Sequence, residues 1–243
     1  GLGNLTQQSS PDTGTSASTY DTAGNLLART DAKSQVTSYV YDALNRVTSI
    51  TFYDGSKQTY AYDQGANGIG RLSQITETDP ANLVTNQTAY AYDQKGRVLT
   101  ETRAIAGIAY VNAYSYDSAG RMTGMTYPSG RTVAYSFDAL GRVAGMTTTK
   151  DGDTKTVASS VAYQPFGGVK SFSYGNGQTY TRQYDQDGRI AAYTLGAKQY
   201  NLGFDAAARI GFIAENGNAA NINNYGYDAL DRLTQATLPS SSF

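Results

Sequence analysis

The chain has 243 residues, 19 Lys and Arg against 20 Asp and Glu, and neither histidine nor cysteine. The balanced charge offers no broad basic field for nucleic acid. The missing residue types exclude Ser-His-Asp triads, cysteine nucleophiles, typical zinc sites and histidine acid–base chemistry.

Hydrophobic residues make up 40% of the chain, and 21 tyrosines carry an unusual share of that content. With abundant Thr, Val and Gly and only three glutamates, Glu77, Glu101 and Glu215, the composition favours strands joined by tight turns and predicts almost no helix. No apolar run approaches the roughly 20 residues that span a bilayer. Residues 1–7 have neither the basic nor the apolar region of a signal peptide.

In chain order, residues 1–19 read as a partial repeat with a connecting segment, because residues 1–7 echo Gly68-Ile69-Gly70-Arg71-Leu72-Ser73-Gln74. Residues 20–237 form about ten copies of one unit, recurring about every 21 to 30 residues. They begin at Tyr20, Tyr41, Tyr62, Tyr92, Tyr116, Phe137, Tyr163, Tyr184, Phe204 and Tyr227. Residues 238–243 read as the start of a truncated next copy, so the sequence suggests a piece of a longer array. A period in the twenties is the mark of units that bury their apolar faces only against neighbours.

Within a copy, Tyr39 and Tyr41 lie two apart, on one face of a strand. The same pairing recurs as Tyr60 and Tyr62, Tyr90 and Tyr92, Tyr114 and Tyr116, Tyr135 and Phe137, and Tyr225 and Tyr227, with small or polar residues between. The Asp-x-x-Gly that follows specifies a type I turn closed by a left-handed residue. Gly96, Gly120, Gly141 and Gly188 suit that position and Asn45 and Asp231 tolerate it, whereas Ala208 would be held there at about 1 kcal/mol, so the Phe204 copy is expected to turn differently.

Such a turn places Asp42 opposite Arg46, Tyr41 opposite Val47 and Tyr39 opposite Ser49. Ile50 is then a misfit, on the face of Arg46, as are Ile75, Met125 and Met146; a bulge or a doubly covered strand would explain them. The expected clasp pairs are Asp42 with Arg46, Asp63 with Arg71, Asp93 with Arg97, Asp117 with Arg121, Asp138 with Arg142, Asp185 with Arg189, and Asp228 with Arg232, each beside its aromatic at Tyr41, Tyr62, Tyr92, Tyr116, Phe137, Tyr184 or Tyr227. Asp205 with Arg209 continues the series. Such repetition favours a turn clasp over a catalytic or metal-binding carboxylate array.

Second turn signals at Asp54-Gly55, Ser129-Gly130, Asp151-Gly152, Asn176-Gly177 and Asn216-Gly217 reverse the chain again, so each copy adds two antiparallel strands. Insertions at residues 65–68 and 147–157 are expected to lengthen loops. The fold class is therefore all-β, antiparallel hairpin repeats in a continuous curved or spiralling sheet. About twenty strands at roughly 4.8 Å spacing exceed what an open twisted sheet holds without curling.

The motif Tyr-Asp-x-x-Gly-Arg followed by an apolar residue, as in Tyr92-Asp93-Gln94-Lys95-Gly96-Arg97-Val98, resembles the YD repeat of the Rhs family. Proteins similar to this include bacterial Rhs polymorphic toxins, insecticidal toxin complex C subunits and teneurins. The resemblance covers roughly residues 20–237; the Tyr163 copy (Tyr163-Gln164-Pro165-Phe166-Gly167-Gly168) lacks both charges and the Tyr20 copy has Asn25 in place of Arg. It implies a hollow β-shell that encloses a C-terminal toxin or effector segment, often after self-cleavage. The family's self-cleaving core and toxin domain have no counterpart here.

The leading expectation is a non-enzymatic wall, secreted or at the bacterial cell surface, with no cofactor and no bound metal, whose partner is the toxin segment of the parent protein. The alternative is an extracellular adhesive module in which tyrosines recognise a glycan or a cell-surface protein. Composition leaves room for a two-carboxylate glycosidase using Glu77, Glu101 or Glu215, although no spacing marks such a pair. Asp151-Gly152-Asp153 and Asp185-Gln186-Asp187 are too short for a calcium loop. Unpaired edge strands would invite edge-to-edge self-association.

Overall fold

Each Asp-x-x-Gly signal closes the same five-residue reversal. At Asp42, the Asp42 amide donates to the Arg46 carbonyl at 2.9 Å, and the Asn45 amide returns to the Asp42 carbonyl at 3.0 Å. The fourth residue is left-handed throughout: φ is +78° at Gly96, +60° at Asn45 and +61° at Asp231. Ala208 also sits there, at φ +63° with both turn hydrogen bonds intact. The expectation of a different turn at the Phe204 copy is thus corrected: the surrounding ladder outweighs the local penalty on Ala208.

The computed structural model describes residues 3–165, 167–216 and 221–238 and contains strands and turns with no α-helix among them. It divides into two units, Gly1–Gly130 and Arg131–Phe243. The first unit holds β1 (Gln7–Ser10), β2 (Gly14–Tyr20), β3 (Leu26–Thr30), β4 (Val36–Tyr41), β5 (Val47–Thr51), β6 (Lys57–Tyr62), β7 (Leu72–Thr78), β8 (Val84–Tyr92), β9 (Val98–Ile105), β10 (Ile108–Tyr116) and β11 (Met122–Thr126). Each pairs antiparallel with its sequence neighbour, as expected for a meander.

The second unit continues with β12 (Thr132–Phe137), β13 (Val143–Lys150), β14 (Asp153–Tyr163), β15 (Val169–Tyr174), β16 (Thr179–Tyr184), β17 (Ile190–Leu195), β18 (Lys198–Phe204), β19 (Ile210–Glu215), β20 (Ile222–Tyr227) and β21 (Leu233–Thr237). It follows the same rule. Among the described residues no pairing joins the first strand of either unit to its last, so neither closes on itself.

The register of each hairpin corrects one expectation. Tyr41 does face Val47, but the ladder then skips Thr48, so Val40 faces Ser49 and Tyr39 faces Ile50 rather than Ser49. The skipped residue is a β-bulge, and it flips the following residues to the opposite face. Ile50 is thereby placed on the tyrosine face, and the same step sets Ile75 opposite Tyr60, Met125 opposite Tyr114 and Met146 opposite Tyr135. The recurrent apolar misfit in the sequence is the signature of a bulge built into every copy.

The insertions behave differently from one another. Residues 65–68 do enlarge the turn between Asp63 and Arg71, whose backbones still pair at 3.0 Å. Residues 147–157, expected as a loop, instead extend β13 and β14, joined by Asp151 at φ +52° and Gly152 at φ +83°. That dipeptide closes a tight hairpin, and the flanking threonines are strand formers, so the insertion lengthens the sheet. Of the remaining second turn signals, Gly217 lies outside the described residues, as do residues 239–243 of the expected terminal fragment.

No large side chain among the described residues is fully buried; the buried apolar residues are Ala192 and Ala214. Within each unit stability must therefore come from the hydrogen-bonded ladder, cross-strand pairs and the junctions between hairpins, since the described residues bury no large side chain completely.

Candidate functional site

The repeated motif assembles a seam at the turn end of the hairpins. Within a copy, the Asp42 Oδ1 accepts from the amides of Leu44 and Arg46 at 2.9 and 3.0 Å, and its Oδ2 accepts from Arg46 Nε at 2.7 Å. Asp93 with Arg97, Asp117 with Arg121, Asp138 with Arg142, Asp185 with Arg189, Asp205 with Arg209, and Asp228 with Arg232 repeat this, with Nε to Oδ2 distances of 2.6–2.8 Å. The arginine amide is the first cause holding the carboxyls of Asp42, Asp93, Asp117, Asp138, Asp205 and Asp228 below the ordinary range, with the guanidinium adding to it.

The same arginine also reaches the next copy. The Arg46 guanidinium lies 4.3 Å from the Tyr62 ring centre, Arg97 4.4 Å from Tyr116, Arg142 4.4 Å from Tyr163, Arg189 4.5 Å from Phe204, and Arg209 4.8 Å from Tyr227. Such stacking uses the flat cationic face of arginine while its edge stays hydrogen-bonded to aspartate, a combination lysine lacks. Arg46 additionally grips Asp63 of the next copy, through Nη1 at 3.2 Å and Nη2 at 2.6 Å.

The tyrosine hydroxyls make the second half of the seam. Between consecutive hairpins the ladder ends early: β3 and β4 pair from Ala28 with Ser38, leaving Leu26 beyond the last rung. Tyr41 donates its hydroxyl to the Leu26 carbonyl at 2.9 Å, replacing the missing rung. Tyr62 does the same to Val47 at 2.9 Å, Tyr92 to Leu72 at 2.6 Å, Tyr116 to Val98 at 2.9 Å, Tyr184 to Val169 at 3.0 Å and Tyr227 to Ile210 at 3.0 Å. Tyr20 to Leu5 and Tyr163 to Val143 complete the series. Phe137 and Phe204 carry no hydroxyl to offer.

The copies that break the motif show what the seam requires. Asn25, in place of arginine, still donates to Asp21 Oδ2 at 2.8 Å and reaches Asn45 of the next copy at 2.8 Å. The Tyr163 copy keeps its backbone turn, Gln164 to Gly168, without either charge. The expected pair of Asp63 with Arg71 is not formed among the described residues. The enlarged turn carries Arg71 away to the carbonyls of Asn67 and Ile69, and Asp63 accepts instead from Gly70 and Arg46. Arg71 lies against Gly96 of the next turn, where a Cβ would fall 1.9 Å from its guanidinium.

Sequence reasoning paired aspartate with arginine inside a copy but missed both links between copies. The one sequence signal for the hydroxyl link is the preference for Tyr over Phe at the motif aromatic. Away from the seam, Glu77 accepts from Gln58 at 3.2 Å and Asn86 at 2.8 Å, and Glu215 pairs with Lys198 at 2.8 Å. These contacts leave both carboxylates engaged with neutral amides or a lysine. Among the described residues no cluster of three or more His, Cys, Asp or Glu is placed to hold a metal.

An aromatic row crosses the second unit, with Phe172 5.0 Å from Tyr180, Tyr180 6.4 Å from Tyr193, and Tyr193 stacked on Tyr200 at 5.1 Å. Tyr193 and Tyr200 lie face to face, so these faces are occupied by each other.

The RHS Repeat family model matches residues 1–36, 20–56, 41–81 and 116–154. The chain is also similar to a crystal structure of TcdB2-TccC3-TEV, at 16% identity and a TM-score of 0.61, over 91% of this chain and 14% of that one. The Photorhabdus luminescens Tc holotoxin pore with a mutated TccC3 aligns over 96% of this chain and 14% of that chain, at 17% identity and a TM-score of 0.64. Identities this low speak to the fold alone, and this chain spans about one-seventh of the length of each. No curated protein matches the sequence significantly.

Proposed function

Because the chain is an array of RHS repeats with the fold found in those toxin-complex chains, we propose that it is a non-enzymatic wall segment of a shell that shields a C-terminal toxin or effector segment for delivery outside the bacterial cell. The observation that carries this reading is the seam. Most of the motif's charges and nearly all of its tyrosine hydroxyls are consumed in holding hairpins side by side, copy after copy, which suits a wall and leaves few reactive groups for chemistry.

A wall of this kind works by exclusion. A ladder stapled at most of the junctions between copies within each unit resists opening there, the step that would admit a protease or release an enclosed segment. The matched toxin-complex structures support the reading through their fold.

The test is limited proteolysis of the full-length polypeptide encoded by the gene. A C-terminal segment that resists digestion in the native particle, and is degraded once the repeats are denatured, is the expected result. Digestion of that segment at the rate of a free peptide, or a gene product lacking any such segment, refutes the proposal.

A further inference from the structure

Four junctions between copies lie within the second unit, and they are not equally linked. Arg142 to Tyr163 and Arg209 to Tyr227 combine an arginine stack with a hydroxyl bond. At Phe204 the hydroxyl is lacking, but Arg189 lies 4.5 Å from the ring and is clasped to Asp185. Between β15 and β16 it is the arginine that is lacking: Gly168 stands in its place and Gln164 in that of the aspartate. Tyr184 still donates to the Val169 carbonyl at 3.0 Å, yet among the described residues no cation of the preceding copy covers its ring. A Cβ on Gly168 would fall 3.1 Å from the Tyr184 hydroxyl, so a longer residue there would reach the next copy. Asn25, the other departure from arginine, keeps a bond to Asp21 in its own copy and one to Asn45 in the next. Gly168 can make neither.

The β14–β15 hairpin that ends in this junction is itself irregular. Its turn bonds are 3.1 Å, Gln164 to Gly168, and 3.4 Å, Gly167 to Gln164. At Asp93 both are 2.9 Å, and the carboxylate also accepts from the amides of Lys95 and Arg97 at 2.8 and 2.9 Å. The β14–β15 ladder steps twice, between Ser159 and Ala162 and again before Tyr163, where hairpins such as β4–β5, β8–β9 and β12–β13 step once. Ser160, inside the first step, is left-handed at φ +55°, a conformation that a non-glycine residue holds only under constraint from its surroundings. An interrupted ladder ending in an unclasped turn is the kind of segment that opens locally, ahead of global unfolding.

What else joins β15 to β16 lies away from the seam. The strands share three rungs, Ser171 with Thr181, Phe172 with Tyr180 and Ser173 with Thr179. The Phe172 and Tyr180 rings sit 5.0 Å apart across the junction, and Phe172 meets Tyr174 edge-on at 4.7 Å. Arg182 lies 5.2 Å from the Tyr180 ring, but both belong to β16, so that contact does not cross the junction. The cohesion is therefore concentrated toward the end opposite the motif turns.

We propose that the β15–β16 junction is a built-in opening point of the array, at which the Val169 end of β15 parts from Tyr184 while Phe172 and Tyr180 serve as the pivot. The junctions with two links outlast it because an arginine must leave both its aspartate and the neighbouring ring before they separate. A single yielding junction confines opening to one place in the array. The inference concerns the chain's own local stability and holds whether or not a segment is enclosed.

Hydrogen exchange of the folded chain, followed by mass spectrometry of peptides from each strand, is the test. The β5–β6 junction is the matched control, since it too has three rungs but keeps both links, Arg46 on Tyr62 and the Tyr62 hydroxyl on Val47. Peptides from residues 169–184 should show at least tenfold lower protection than those from residues 47–62. The double substitution Gln164→Asp with Gly168→Arg restores the motif, and should raise protection over residues 169–184 at least tenfold while leaving residues 47–62 unchanged. Gly168→Met adds bulk without a guanidinium and should recover less than a third of that gain. The converse pair, Asp42→Gln with Arg46→Gly, should lower residues 47–62 at least tenfold. Equal protection at the two junctions of the unaltered chain, no gain from the restored motif, or as large a gain from Gly168→Met would overturn the proposal. The first comparison needs no variant, so it decides the matter even where a substitution prevents folding.

Discussion

Replacing the Tyr92 hydroxyl with hydrogen isolates one rung of the seam. In Tyr92→Phe the ring stays beneath Arg71, and only the 2.6 Å bond to the Leu72 carbonyl is lost. A net hydrogen bond contributes about 0.5–1.5 kcal/mol, and a half-buried carbonyl left without its donor keeps the loss toward the upper part of that range, so about 1 kcal/mol is expected. In a chain of this size that corresponds to a fall in melting temperature of about 2–4 °C. The chain also supplies the reciprocal experiment. Phe204 occupies the same position without a hydroxyl, and β17 and β18 pair only from Ala192 with Asn201, leaving Ile190 past the last rung. Phe204→Tyr should therefore gain about 0.5–1 kcal/mol. Thermal unfolding by circular dichroism measures both variants. Hydrogen exchange at the Gln74–Ala89 rung of β7 and β8 localises the first effect, which matters in an array whose units open separately. Unchanged stability in Tyr92→Phe, or destabilisation by Phe204→Tyr, would show that the hydroxyl is not a rung.

Ala208→Gly relieves a left-handed alanine and should stabilise the protein by about 1 kcal/mol, read as a rise in melting temperature. Gly96→Ala should do the reverse and more, since the new Cβ meets both a positive φ of +78° and the Arg71 guanidinium; a melting temperature equal to the parent would contradict the close approach. The motif carboxyls are depressed in the folded chain, so their contribution is fully present above the ordinary aspartate value near 3.8 and is lost as pH falls through the lower folded values. Melting temperature should accordingly be flat near neutrality and drop below about pH 4, and a drop that begins near pH 6 would point to other groups. Burial raises the phenols of Tyr41, Tyr60, Tyr90, Tyr92, Tyr114 and Tyr193, so an ultraviolet titration should show a tyrosine class ionising above pH 10 that merges with the rest on unfolding.

What the sequence made legible was local, and what it hid was the relation between copies. Asp42 and Arg46 are four apart on one chain, and turn chemistry alone brings them together. The link from Tyr41 to Leu26 depends on a ladder that stops short, which no spacing within a copy encodes. Ile50 shows the intermediate case: its wrong-face position signalled an irregularity, yet a bulge and a doubly covered strand gave the same pattern until the register distinguished them. The two insertions show why composition decides where spacing fails. Residues 65–68 are Gly, Ala, Asn and Gly, with no strand former among them, so they widen a turn and unseat Arg71 from Asp63. Residues 147–157 are rich in threonine around Asp151-Gly152, so they extend a hairpin. Ala106-Gly107 extends a second hairpin by the same turn chemistry, without the Asp or Asn that would have announced it. An array tolerates such extensions because only the turn end carries the seam; the opposite end can lengthen without breaking a junction. Variation in strand length is thus confined to the end away from the motif, as the long β9–β10 and β13–β14 hairpins show.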